Sequence, residues 1–507
     1  MIERALLSVW DKTGLLELAG GLAELGAELV ASGGTAALLE ELGLEVTRVE
    51  ELTDVPELLG GRVKTLHPRI HAGILARRDR HDDALALVEH EISPFDLVCV
   101  NLYPFPAPTS WSDTSDDEAI ELIDVGGPAL LRAAAKNHAH VVAVCAPARY
   151  GALLAELRAE GKISLGTRRE LAGEAFAHTA AYDARIAGWF SREEVLPEHL
   201  HLSLAKVRDL TYGENPHQRA ALYAEAGTPH LLTGVEQLHG RQLSLTNLYD
   251  LATARALVEA QADPACAIVK HANPCGVAVA HTIEAAFERA FACDPVSAFG
   301  MACAVNRPVS AELGLELADR FVDVLHAPGY DEAALRRLQA KPGTRILAGG
   351  EAALGGLDLK RVPGGLLVQE RDAPVERDAM EVVCGSVSEA AWADLLFAWD
   401  VCRQTTSNAI VLAAARATLG IGAGQVSRVD AVRIALEKAR AHGHSLGGAV
   451  LASDGFFPFA DGPLLALEAG VSTIVQPGGS KRDAEVVAAV EAAGAAMVFT
   501  GRRHFRH

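Results

Sequence analysis

Lys270-His271 sets an ammonium beside an imidazole at the end of the apolar run Ala267-Ile268-Val269, and Asn273-Pro274-Cys275-Gly276 follows as a turn that would stop the strand. Imidazole titrates near neutral pH, so it can take a proton from a weak nucleophile, while a neighbouring lysine can stabilise an oxyanion as it forms. An ordinary exposed strand end would carry the same dipeptide, so its meaning depends on the rest of the chain.

A second concentration of such groups lies in the first 140 or so residues. Gly60-Gly61-Arg62-Val63-Lys64-Thr65-Leu66-His67-Pro68 gathers two cations, a hydroxyl and an imidazole in one loop, between paired glycines and a stiff His-Pro. Such a loop can grip a phosphorylated substrate; a solvated basic turn is the other reading. Ser32-Gly33-Gly34-Thr35 falls between a strand and a helix, where glycines let the backbone approach an anion and the helix N-terminus offers unpaired N–H groups. A tight turn capped by Ser32 or Thr35 accounts for it as well.

Asn101-Leu102-Tyr103-Pro104 follows a buried-type strand, and Ile123-Asp124-Val125-Gly126-Gly127-Pro128 leads into a helix with proline in its first turn, where it costs no hydrogen bond. Tyr103 and Asp124 are therefore candidates for the crevice beyond the strand C-termini, with Asp124 as a simple cap the alternative. Lys136, in Ala133-Ala134-Ala135-Lys136-Asn137-His138, closes that helix, a position the helix macrodipole alone would explain.

These groups need a frame. Residues 5–9 form a short apolar run, 15–25 repeat at helical spacing and 28–31 are apolar again, which reads as strand, helix, strand. A helix at 36–42, a strand at 97–102, a helix from about 127 and a strand at 141–145 continue the alternation, so a doubly wound parallel α/β sheet is expected. The periodicity lapses at Ser191-Arg192-Glu193-Glu194 and Pro197, which places a boundary near residue 200 and gives domains 1–199 and 200–507. The second stretch is too long for one small core and reads as two subdomains.

Composition narrows the class. Apolar residues at 50% and charged residues at 22% are those of an ordinary globular protein. A net charge of −20, from 46 Lys plus Arg against 66 Asp plus Glu, would repel a nucleic acid backbone but not a small anion held by a few local cations. The eight cysteines form no C-x-x-C pair and no zinc spacing, so reduced core thiols are expected. No uncharged apolar run approaches the ~18 residues of a membrane helix, and the charged start (Glu3, Arg4, Asp11, Lys12) is unlike a signal peptide, so a cytoplasmic protein is expected.

Taken together, the Asp11-Lys12-Thr13-Gly14 turn and the SGGT, GGRVKTLHP, NLYPF, IDVGG and AAAKNH segments resemble, in order and spacing, the family of bifunctional transformylase and inosine monophosphate cyclohydrolase enzymes. Tyr212-Gly213-Glu214-Asn215-Pro216-His217-Gln218, Asp294-Pro295-Val296-Ser297-Ala298-Phe299-Gly300, Thr406-Ser407-Asn408-Ala409, the 420–428 glycine-rich segment, Ser453-Asp454-Gly455-Phe456-Phe457-Pro458-Phe459 and Arg503-His504-Phe505-Arg506-His507 extend the resemblance over essentially the whole chain.

The resemblance implies a first domain like methylglyoxal synthase, carrying the cyclohydrolase site. Phosphate and ribose contacts would come from Lys12, Ser32, Gly33, Gly34, Thr35, Arg62 and Thr65, with Gly126 and Gly127 also on the substrate. Lys64, Tyr103, Asp124 and Lys136 would surround the reacting ring. The second domain would be two subdomains like cytidine deaminase without its zinc, transferring a formyl group from 10-formyltetrahydrofolate to the aminoimidazole carboxamide ribonucleotide (AICAR). The formylated product (FAICAR) would then close to inosine monophosphate (IMP). Lys270 and His271 would do the transfer with Asn408 positioning the donor, and Tyr212, Asn247, Gly300, Asp323, Arg503 and Phe505 would bind substrate. A homodimer sharing this site is implied, and a monovalent cation is compatible with it.

Two departures stand out. Trp10 replaces a small polar residue before Asp-Lys-Thr-Gly, and Thr211 stands where the family usually has a phosphate-binding arginine, with Arg208, Arg219 and Arg241 as possible replacements. Three other functions compete: a cyclohydrolase whose second domain is impaired, a nucleotide- or folate-sensing module, and a lyase like methylglyoxal synthase.

Overall fold

The computed structural model describes residues 1–56, 58–225, 228–350 and 356–507, and the chain divides into two compact units. One unit comprises Met1–Leu204 with Glu225–Thr228; the other comprises Ala205–Ala224 with Pro229–His507. Among the described residues no helix is long and apolar enough to cross a membrane.

The first unit is built on strands Arg4–Val9 (β1), Glu28–Ala31 (β2), Thr47–Arg48 (β3), Leu97–Asn101 (β4) and Val142–Val144 (β5). They lie in the order β3-β2-β1-β4-β5, every pair parallel, with helices between them. A parallel sheet covered on both faces needs strands that are apolar throughout, which is why 5–9 and 97–102 read as unbroken apolar runs. Leu7, Leu29, Cys99 and Val144 face one core with Leu18 and Leu154; Leu6, Val30, Val98 and Ala143 face the other with Ile70, Leu131 and Trp189. The order reverses at β1, so the loops after β1, β2 and β4 open on one crevice.

The second unit contains a twelve-stranded sheet whose chain path is repeated. The first half runs strand Val235–His239, helix Leu245–Glu259, hairpin Ala265–Lys270 and Asn273–Val279, helix Ile283–Cys293, then strands Met301–Val305, Val322–Ala327 and Arg345–Gly349 separated by helices. The second half runs strand Glu381–Cys384, helix Glu389–Arg403, hairpin Ile410–Ala414 and Ala417–Gly422, helix Arg428–Ala441, then strands Val450–Ser453, Thr473–Gln476 and Ala496–Phe499, again separated by helices.

In each half the three later strands are mutually parallel, the hairpin joins them antiparallel on one side and the first strand joins them antiparallel on the other. The halves meet at one register pair, Ala278 opposite Ala417. The same close approach of helix to strand recurs in both. A Cβ on Gly276 would lie 1.9 Å from the Ala290 carbonyl oxygen, and one on Gly420 would lie 2.2 Å from that of Ala435, so only glycine fits either place.

The sequence reading placed a turn at Asn273-Pro274-Cys275-Gly276, and this needs correction. Those residues are in a strand, and the turn is the two-residue link His271-Ala272, with Lys270 opposite Asn273.

Candidate active sites

In the first unit the C-terminal end of β1 is drawn together by side chains. Asn101 Oδ1 accepts the backbone N–H groups of Trp10 (2.6 Å) and Asp11 (2.8 Å), and its Nδ2 donates to the Asp11 carbonyl (3.0 Å). This holds the turn that delivers Lys12, while the indole of Trp10 stays half exposed. Lys12 Nζ donates to the Val9 carbonyl and to Thr35 Oγ1 (3.1 Å). Thr35, itself buried, pins β1 by donating to the Val9 carbonyl and accepting the Val9 N–H, each at 3.1 Å.

Ser32 occupies the N-cap position of helix Gly33–Glu41 but its hydroxyl makes no capping bond; it pairs instead with Ser8 Oγ at 2.8 Å. Capping by Ser32 or Thr35 is thereby corrected: both hydroxyls are spent on β1, and what the helix start offers an anion is the backbone of Gly33 and Gly34. Gly33 has φ +45°, and Lys64 Nζ lies 3.3 Å from where its Cβ would be. Burial lowers the pKa of Lys12, and the nearby Lys64 ammonium lowers it further. Two cations crowded at a helix N-terminus are arranged for a strongly anionic group.

Asp124 faces Lys64 from the other side. Its Oδ1 accepts the Gly127 N–H at 2.7 Å, and its own N–H is held by Tyr182 Oη at 2.8 Å. Burial pushes the Asp124 carboxyl up, opposed by the N–H groups of Gly127 and Tyr103 and by the Lys64 charge. A carboxylate raised in this way is a better proton acceptor than an ordinary aspartate. Buried Thr65 sits against Gly126, whose Cβ would lie 2.7 Å from Thr65 Oγ1, and the Tyr103 ring is left exposed at the mouth.

Arg62 is turned to Glu121 in an ion pair whose members are both well exposed. Such a pair is worth about 0–1 kcal/mol, too little to keep the guanidinium from a phosphate.

Lys136 is the residue that this cluster leaves out. It ends helix Gly126–Lys136, whose first turn faces Asp124, so at 1.5 Å per residue it stands about 15 Å away along the axis. Lys136 and Asp124 would therefore approach a reacting ring from opposite ends of this helix. Its neighbour Asn137 is structural: Nδ2 donates to the carbonyls of Ile74 (2.8 Å) and Ala76 (3.0 Å) and ties two helix ends together.

In the second unit Lys270 and His271 sit at the tip of the first hairpin. Lys270 Nζ donates to the Phe299 carbonyl at 2.7 Å, just before Gly300, whose φ of +74° folds the loop back so that its N–H meets the Phe321 carbonyl at 3.0 Å. The His271 side chain is exposed. Asp250 accepts the Ala272 N–H at 2.6 Å, and Arg506 donates to the Ala272 carbonyl at 2.9 Å and to that of Gln404 at 2.6 Å. Thr406 N–H donates to Asn273 Oδ1 at 2.9 Å, and Ser407 N–H to the Arg506 carbonyl at 2.8 Å. The Lys270-His271 turn and the Thr406-Ser407-Asn408 segment are thus bolted together.

Asn408 is held by bonds within the chain. Its Nδ2 donates to the Gln425 (2.8 Å) and Val426 (3.1 Å) carbonyls, and its Oδ1 accepts from Arg428 at 2.6 Å. Arg428 is buried, paired with the fully buried Asp454 and bonded to Ser453 Oγ at 2.8 Å; Asp454 also takes the Ser407 hydroxyl. These bonds also fix the 425–426 loop, through which Asn408 could help position a donor.

Asn247 is likewise committed: with Ser244 it forms a capping box, and its Nδ2 donates to Asp323 Oδ2 at 2.7 Å. Asp323 Oδ1 accepts from buried Arg345 at 2.6 Å. Tyr212 lies at the start of the same helix, its carbonyl accepting the Leu245 N–H at 3.2 Å. Thr211 Oγ1 donates to the Gln242 carbonyl at 2.8 Å, the oxygen that Arg345 Nε also meets at 3.1 Å. Arg345, far away in sequence, is the arginine brought beside Thr211; Arg208 turns to Gln237 instead.

The tail residues line a cavity of about 570 Å³ with Lys360, Arg371, Arg502, Arg503, Phe505 and His507 in its wall, besides Glu370 and Asp372. The Arg503 guanidinium lies 4.6 Å over the Phe505 ring, with His507 at 5.9 Å and Arg428 at 6.0 Å also near it. Cations and one aromatic face suit a phosphorylated, ring-bearing ligand.

Comparison with known proteins gives this geometry a context. A family described as the AICARFT/IMPCHase bienzyme matches residues 134–438, and one described as the MGS-like domain matches residues 14–129. The Bifunctional purine biosynthesis protein PurH of Magnetococcus marinus is 48% identical over 529 residues, covering 100% of this chain and 99% of its own. That of Chloroflexus aurantiacus is 49% identical over 513 residues with the same coverage. A solved structure titled Crystal structure of ForH is 41% identical and covers 37% of this chain and 98% of its own, at a TM-score of 0.34.

Proposed function

The chain belongs to the AICARFT/IMPCHase bienzyme family, and on that premise we propose which of its residues carry each reaction. It is a purine-biosynthetic enzyme that transfers a formyl group from 10-formyltetrahydrofolate to AICAR and then closes FAICAR to IMP.

Ring closure belongs to residues 1–199. The carboxamide nitrogen attacks the formamide carbon, the formyl oxygen becomes negative, and water is lost. Lys64 and Tyr103 stabilise that oxygen, Asp124 takes the amide proton, and Lys12, Ser32, Gly33, Gly34, Thr35, Arg62, Thr65, Gly126 and Gly127 frame the phosphate and ribose. The observation that supports this is that Lys64 lies against the Gly33 backbone and within electrostatic reach of both Lys12 and Asp124. Lys136, whose long side chain leans back along the helix toward Asp124, orients that carboxylate or supplies a proton to the departing hydroxyl.

Formyl transfer belongs to residues 200–507, two zinc-free subdomains of cytidine deaminase type, a reading supported by the repeated path of the sheet. The acceptor amine is a poor nucleophile because its lone pair is delocalised. His271 removes its proton as the carbon–nitrogen bond forms, and Lys270 stabilises the tetrahedral oxyanion before tetrahydrofolate leaves. An ammonium has three donors, so Lys270 can hold Phe299 and the oxyanion together. Arg503 and Phe505 take the nucleotide, with Tyr212, Gly300 and the Asn247–Asp323 pair shaping its pocket. The enzyme works as a cytoplasmic homodimer.

The test is a two-stage assay on the purified chain: FAICAR alone, then AICAR with 10-formyltetrahydrofolate. His271→Ala and Lys270→Ala should lose formyl transfer and keep ring closure; normal formyl transfer in His271→Ala would remove it as the base.

A further inference from the structure

We propose that Asp250 is a positioning residue for formyl transfer, holding the His271-Ala272 turn in its left-handed form and so fixing where the His271 imidazole stands. The proposal rests on the reading of His271 as the base.

A two-residue link of type I′ needs positive φ at both positions, and Asn-Gly or Gly-Gly is what usually supplies it. Here the link is His-Ala, at φ 53° and 57°, and each side chain disfavours that conformation through its Cβ. Something outside the turn has to stabilise it. The Asp250 carboxylate, on helix Leu245–Glu259, does so from one side: it accepts the Ala272 N–H at 2.6 Å and faces the His271 N–H. Arg506 holds the Ala272 carbonyl from the other side at 2.9 Å. With both backbone ends fixed, the exposed imidazole has only its own side-chain torsions left to vary.

The second half of the unit supplies an independent copy of the device. Its hairpin turn, Ala415-Arg416, is also left-handed at both residues, φ 49° and 55°. Asp394 accepts the Ala415 N–H at 2.8 Å and the Arg416 N–H at 2.6 Å, from the same position in helix Glu389–Arg403 that Asp250 has in its own helix. The carboxylate brace is therefore a property of the repeated fold, and what differs is the load. The second turn carries Arg416, which pairs with Asp263 at 2.6 Å; the first carries Lys270 and an unburied His271. In the first half the brace aims a reacting group.

This duplication also provides the control. In the full-length chain, Asp250→Ala should lower kcat for formyl transfer between about tenfold and a hundredfold, the scale of a small misplacement, with the KM for AICAR and the rate of ring closure nearly unchanged. Asp250→Asn, whose amide oxygen still accepts an N–H, should keep most of the activity. Adding Ala272→Gly to Asp250→Ala should recover activity, since glycine takes positive φ without a brace. Asp394→Ala should lower Tm as Asp250→Ala does while leaving kcat at the wild-type value.

The proposal is overturned if Asp250→Ala keeps wild-type kcat while His271→Ala is inactive, if Asp394→Ala lowers kcat as much, or if Ala272→Gly recovers nothing. Full activity in His271→Ala would instead overturn the reading of the base and leave the geometry of the brace untouched.

Discussion

Lys64 Nζ and Gly33 share one space: the ammonium lies 3.3 Å from the point a Cβ on that glycine would occupy, and Gly33 itself has φ +45°. Gly33→Ala would both strain the backbone and push the cation away from Asp124. Ring closure on FAICAR should fall by about tenfold or more, toward the ~10²–10³ cost of losing one oxyanion donor. Formyl transfer, assayed in the same preparation, should be unchanged.

Asp124 sets a pH dependence. Burial raises its pKa above the ordinary aspartate range, so between the unfolded and folded values the folded chain keeps a proton that the unfolded chain has released, and above both the carboxylate is free to act as a base. Its contribution to stability is full below the unfolded value and is lost as pH rises through the folded value. Two outcomes are expected. The acid limb of kcat/KM for ring closure lies above the usual ~3.9, and Asp124→Asn raises Tm at pH 7 while ring closure drops by about 10²-fold or more, the share of a general base. A thermal melt and a pH–rate profile check both.

Lys136 and Asp124 stand at opposite ends of one helix, so a ring bound between them is reached from both ends. Lys136→Ala and Asp124→Ala should each cut ring closure on FAICAR by about 10²-fold or more and leave formyl transfer intact. Near-normal cyclisation in Lys136→Ala would place Lys136 outside the chemistry.

Thr211 hydroxyl bonds to the Gln242 carbonyl beside Arg345, in the spot where the family usually has an arginine. A charge-assisted bond is worth about 1.5–3 kcal/mol, so Thr211→Arg should lower the KM for AICAR roughly ten- to a hundredfold. An unchanged KM would mean that Arg345 already serves the phosphate, and Arg345→Lys should then raise it.

The parallel sheet was legible because its strands are buried on both faces and its glycine loops interrupt them, so β1, β2 and β4 start and stop within a residue or two of the apolar runs. The Lys270-His271 hairpin was not. Its turn has neither glycine nor asparagine, and the carboxylate that makes it possible sits on a helix earlier in the chain. Asn247 and Asn408 were singled out but their bonds were invisible, since Asp323 and Arg428 approach only after folding. Two subdomains were expected, but the pairing of their elements was not legible, because the halves share a path and a few braces rather than a recognisable sequence repeat.

The seam at Ala278 and Ala417 joins two edge strands antiparallel, which is how two identical molecules would meet across a twofold axis. The two braced hairpins on either side of it carry different residues: one bears Lys270-His271, the other Arg416 anchored to Asp263. The unit is thus symmetric in its path and asymmetric in what its two hairpin tips present.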